Sequence, residues 1–98
     1  MFRWDDLELD KVTEMVSRKE IGAGGQAVVQ TYLKKGARVP QHAHSGAQWI
    51  YVLQGALDVS VAGQPAITVR EGEVLYVPAA SLHQAEARDD TFVLDVRT

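Results

Sequence analysis

Ninety-eight residues with 46% apolar content are enough for one compact core and too few for two. A net charge of −3 and a pI near 5.5, with no basic stripe, exclude the electrostatic footprint of a nucleic-acid binder. Cysteine is absent, so a disulfide framework and a thiolate metal site are both excluded, and a reducing compartment is the natural fit.

The chain is read as one domain over residues 1–98, with an N-terminal segment (1–25) followed by a barrel (26–98). Met1-Phe2-Arg3-Trp4-Asp5-Asp6 lacks the basic-then-apolar pattern of a signal peptide. No apolar run approaches a membrane span. The expectation is a soluble, cytoplasmic protein.

Asp6 to Val16 is the only stretch able to hold a helix, and Val12 to Glu20 shows no clean helical stripe. Gly22-Ala23-Gly24-Gly25 then breaks the chain. Strands are expected at 26–33, 39–44, 48–53, 57–61, 67–69, 74–77, 83–87 and 91–96. Each is bounded by turn residues such as Lys35-Gly36, Gln54-Gly55, Gly63-Gln64-Pro65, Gly72, Pro78 and Asp89-Asp90. Short strands with turn signals every eight to twelve residues imply an all-β sandwich or barrel. Open sheet edges favour a homodimer, and the segment around Val12 to Glu20 is expected to add a strand to a partner's sheet.

The three histidines of the chain all fall inside one pair of spaced motifs. Gly36 is followed by five residues, then His42, Ala43 and His44. Three residues later comes Gln48, and six further on Gly55. Gly72 is followed by five residues, then Pro78, and His83 closes the second motif. On an extended strand His42 and His44 point to one face, and Gln48 keeps the parity. With His83 arriving from a distant strand, three imidazoles and an amide oxygen converge as a metal site.

These motifs resemble the paired signature of the cupin superfamily: Gly-x5-His-x-His-x3/4-Glu-x6-Gly, then Gly-x5-Pro-x-Gly-x2-His-x3-Asn. The resemblance spans about Gly36 to Ala87 and implies a double-sheet jelly roll. Three positions depart from it: Gln48 stands at the usual glutamate, Ala80 at a glycine and Ala87 at an asparagine. Glutamine at the first of these is similar to the three-histidine, one-glutamine shell of the bacterial manganese-dependent hydroxynitrile lyases. The resemblance implies one divalent metal ion per chain on His42, His44, Gln48 and His83. Imidazole and amide donors leave manganese, iron, nickel, cobalt and zinc open.

Four uncharged donors would leave a divalent ion its full +2, where a glutamate would reduce it to +1. Open positions would then favour anionic or carbonyl-bearing small molecules and Lewis-acid chemistry. A lyase or isomerase is the leading expectation. A dioxygenase, a non-catalytic ligand-binding cupin and a vestigial site are the alternatives. Trp49, Tyr51, Tyr76 and Phe92 are read as core more readily than as a substrate shelf, and Gln30, Gln41 and Gln84 as candidate donors near the metal. Ser45, Ser60 and Ser81 lack a nucleophile context, and no phosphate-binding glycine loop is present.

Overall fold

A computed structural model describes residues 1–98. After a 3-10 turn at Trp4–Asp6, ten strands follow: β1 (Asp10–Lys11), β2 (Val16–Ala23), β3 (Gln26–Leu33), β4 (Arg38–His42) and β5 (Gln48–Gln54). Then come β6 (Ala56–Val61), β7 (Ile67–Arg70), β8 (Val74–Val77), β9 (His83–Ala87) and β10 (Thr91–Arg97). They form two antiparallel sheets. One has six strands in the order β1-β2-β3-β10-β5-β8, the other four in the order β4-β9-β6-β7. This is the all-β jelly-roll architecture expected from the sequence. No helix is long and apolar enough to cross a membrane.

The period-two pattern explains which face each strand buries. Val29, Leu33, Ile50, Val52, Val93, Leu57 and Val59 all point between the sheets and are buried. Burial of this apolar surface is the main stabilising term. The intervening residues of β3, β10, β5 and β8 point outward. They include Val28, Tyr32, Trp49, Tyr51, Val74, Tyr76 and Val96, all more than a third exposed. Tyr32 stacks on Phe92 at 4.5 Å and Trp49 meets Tyr76 at 4.8 Å, so the aromatics cluster on the outer face of the six-stranded sheet. None of the four aromatics considered from sequence lines the cavity between the sheets.

The N-terminal segment departs from expectation. Asp6 to Val16 holds no helix beyond the turn at Trp4–Asp6. Without a helical stripe, the segment buries apolar surface by joining the sheet. Val16–Ala23 pairs along its whole length with β3 of its own chain, from Val16 opposite Leu33 to Ala23 opposite Gln26. The six-stranded sheet therefore includes β1 and β2, two strands ahead of Gln26. On its other side β2 meets only the two residues of β1.

Two turns tie the sheets together closely enough to restrict side chains. Gly55 has φ +90°, and a Cβ there would lie 2.4 Å from the Asp90 carbonyl oxygen. Ala80 has φ +59°, in the left-handed region, and its N–H donates to the His44 carbonyl at 2.8 Å. The position where the resembled motif has glycine is thus one where a side chain is strained. Ala80→Gly is expected to raise stability by about 1 kcal/mol, roughly 4–8 °C in melting temperature. Thermal denaturation of both proteins checks this, and an unchanged or lower midpoint contradicts it.

Candidate metal centre

The site lies between the sheets, in a cavity of about 390 Å³. β4 carries His42 and β9 carries His83, and the two residues face each other as cross-strand partners. A register shift in β4 between Val39 and His42 accompanies this pairing. Bulges of this kind re-aim side chains near functional sites. β4 ends at His42, so His44 sits just past the strand rather than on it, contrary to the extended stretch expected to 44. The hydrogen bond from Ala80 holds its backbone instead. The three histidines bring ring nitrogens within 4.8 Å of one another.

Backbone carbonyls set the ring tautomers. His42 Nδ1 lies 2.9 Å from the Pro40 oxygen, and His83 Nδ1 lies 2.9 Å from the Ser81 oxygen. A carbonyl only accepts, so each Nδ1 carries the proton and Nε2 is left with a free lone pair. Nε2 of His44 and of His83 is buried without a hydrogen-bond partner. Gln48, on β5, is 3% exposed, and its Oε1 is buried and unpartnered too. All four side chains line the one cavity. Buried acceptors with no donor are uncommon in folded proteins and call for an explanation. A cation satisfies them together, and a three-histidine cluster of this spacing fits a divalent metal ion.

Two charged wall residues of β10 were not singled out from sequence. Along β10, Thr91, Val93, Asp95 and Arg97 share the inward parity, so a carboxylate and a guanidinium follow the apolar core into the cavity. Burial pushes the Asp95 carboxyl up, while Arg97 and the neighbouring Gln48 amide pull the other way. The signal was present in Thr91 to Arg97, where charged residues take the parity of Val93. Of the glutamines weighed beforehand, Gln41 lines the cavity, whereas Gln30 and Gln84 do not. Ala87 is fully buried in the core, so the departure there leaves the site untouched.

The cupin domain family matches residues 28–96. The chain belongs to the cupin family. Among solved structures, KdgF from Halomonas sp. superposes with a TM-score of 0.86 at 25% identity, over 99% of this chain and 90% of that one. An RmlC-like cupin from Shewanella frigidimarina gives 0.87 at 23% identity, over 99% and 87%. Oxalate decarboxylase from Bacillus subtilis, in a structure concerned with its Mn(II) centres, gives 0.89 at 24% identity. This cupin spans 98% of itself there but only 28% of that longer chain. No curated protein matches it.

Two of the histidines of this cupin, His44 and His83, are held neutral. His44 is lowered to about 4, first by burial and then by the charges of Arg97, His42 and His83, with Glu20 opposing. His83 is lowered as well, chiefly by burial, although its bond to the Ser81 carbonyl works against this. Unfolded histidines titrate near 6.5. Between 6.5 and about 4 the unfolded chain therefore binds more protons than the folded one, and stability is lost as pH falls through that window. The melting temperature of metal-free protein is expected to decline from pH 6.5 towards pH 4. His44→Gln should flatten part of the slope. Parallel pH series of the two proteins check this, and identical slopes contradict it.

Proposed function

We propose that this cupin binds one divalent metal ion through His42, His44, Gln48 and His83 and acts as a metal-dependent lyase or isomerase on a small oxygen-bearing substrate. The observation that carries the reading is the convergence of buried, unpartnered side-chain atoms: His44 Nε2, His83 Nε2 and Gln48 Oε1. When bound, an ion held by four uncharged donors supplies Lewis-acid polarisation at nearly its full charge. The chain's own residues do the rest. The carbonyls of Pro40 and Ser81 hold two imidazoles in the metal-facing tautomer. Asp95 stands on the same cavity wall as Gln48. Leu33, Ile50, Leu57 and Val59 give the cavity an apolar wall that limits water.

Manganese is favoured as the ion by the structural likeness to a decarboxylase with Mn(II) centres and by the three-histidine, one-glutamine resemblance. Cyanohydrin cleavage is the specific lyase reaction that resemblance suggests. Elemental analysis should find one divalent ion per chain, and the His42→Ala, His44→Ala double variant should lose it. Manganese-loaded protein should turn over mandelonitrile or a simple 2-hydroxy or 2-oxo acid without oxygen. Equal metal in both proteins would end the metal reading. Oxygen uptake with a diketone or flavonol, and no anaerobic turnover, would put a dioxygenase in its place. A ligand-dependent melting shift with no product in either assay would leave a binding protein.

The homodimer belongs here as a proposal too, on a different surface from the one first expected. β2 is already paired within its own sheet. The outer face of the six-stranded sheet offers four half-exposed or nearly half-exposed aromatics and three valines, with no charged residue among these seven. By typical side-chain areas this amounts to on the order of 600 Å², near the ~800 Å² each partner commonly buries in a stable interface. A chain of net charge −3 meets a second copy with less repulsion on a patch that carries no carboxylate among these seven residues. Light scattering should give a dimer at micromolar concentration, and Trp49→Lys with Tyr76→Lys should give a monomer that keeps its metal. A monomeric parent protein refutes the dimer, and a dimeric variant refutes this face.

A further inference from the structure

The cavity carries a charge opposite to that of the chain that builds it. The protein is net negative. Apart from the histidines, the ionisable side chains on the cavity wall are Arg18, Arg38, Arg97 and one carboxylate, Asp95. Arg18 and Arg38 are the more exposed pair, at 38% and 79%, each with an outer carboxylate partner, Asp10 at 3.5 Å and Glu86 at 3.7 Å.

Arg97 is placed differently. Its side chain is 21% exposed, and its Nε is buried without an acceptor. Its contact with Asp95 is 3.5 Å long, beyond the usual range of an N–H···O bond. A guanidinium withdrawn from water with an unused donor is unfavourable unless something else accepts from it. Arg97 also stands opposite Gln48 in the β10–β5 ladder. Such cross-strand neighbours lie about 4.5–5.5 Å apart at Cα, so one small molecule reaches both side chains. Arg97 lines the same cavity as the three histidines and Gln48.

We propose that Arg97 is the carboxylate-binding residue of this cavity, and that the ligand is a small 2-hydroxy or 2-oxo acid. Its carboxylate takes the guanidinium fork, and its adjacent oxygen faces the three histidines and Gln48. The second half rests on the metal reading above, whereas the carboxylate contact does not. Arginine presents paired donors that match a carboxylate, which lysine does not. The acid also supplies the negative charge that four neutral donors withhold from a divalent ion. Asp95 alone leaves that charge largely uncompensated. A cavity of about 390 Å³ suits an acid of this size with a short apolar tail against Leu33 and Ile50.

Calorimetry tests this with lactate and mandelate against their primary amides, lactamide and mandelamide, on metal-loaded protein. The acids should bind about tenfold or more tightly than the amides, the size expected for a charge-assisted hydrogen bond. Arg97→Gln should abolish that preference and leave amide binding and metal content unchanged. Arg97→Lys should restore part of it. Amides binding as well as acids, a preference that survives in Arg97→Gln, or no binding of either acid overturns the proposal. If Arg97→Gln does not fold, the parent protein and Arg97→Lys decide by the same comparison. Metal content is read separately. Should the parent hold no metal, its metal-free form must still prefer acid over amide, so loss of the metal reading and loss of this one give different results.

Discussion

Imidazole nitrogens crowded within 4.8 Å of one another, beside an amide oxygen in the same cavity, cannot satisfy each other. Two of the rings already spend their protons on backbone carbonyls, so their inward nitrogens have only lone pairs to offer. Burial keeps His44 and His83 from acquiring a second proton at neutral pH. The interior of this cupin is therefore an acceptor-rich pocket in an otherwise apolar sandwich, and a cation is the group that relieves it. Much of the surrounding architecture serves to hold those lone pairs together.

That holding is distributed over both sheets. β4 and β9 of the smaller sheet bring His42 opposite His83, and β5 of the larger sheet delivers Gln48 from the other side. His44 lies beyond its strand and is fixed through its carbonyl by Ala80, a residue in a backbone region that glycine tolerates better. The strain at Ala80 and the position of a histidine are thus linked through one backbone hydrogen bond between two loops. Local strain tolerated beside a site is a common way to fix a side chain that regular structure would leave elsewhere.

Membership of the cupin family accounts for the scaffold and the histidines, but chemistry on a shared scaffold is decided by the residues around the site. In this chain those are Gln48, Asp95 and Arg97. Glutamine in place of glutamate would keep a bound ion's charge high, Asp95 adds a carboxylate to the wall, and Arg97 adds a positive charge. The three form a connected set, with Arg97 opposite Gln48 across the strand ladder and 3.5 Å from Asp95. Altering any one changes the field felt by the others.

The strands from Gln26 onward were legible in the sequence because period-two burial and Gly/Pro turns are local signals that survive without tertiary context. The histidine and glutamine set was legible because its spacing is carried by two turns with definite residues at their ends. Three things were not. Val16–Ala23 has a weak local pattern, and only eight cross-strand pairs with β3 make it a strand. The aromatics looked like core by composition, yet strand parity turns them outward because the alternate positions, Val29, Ile50, Val52 and Val93, already fill the space between the sheets. Asp95 and Arg97 read as ordinary charges near the end of a strand until the larger sheet folded over the smaller one and closed them into the cavity. Alternation along each strand could be read residue by residue. Which face became the inside depended on the packing of two sheets, a property that no single strand contains.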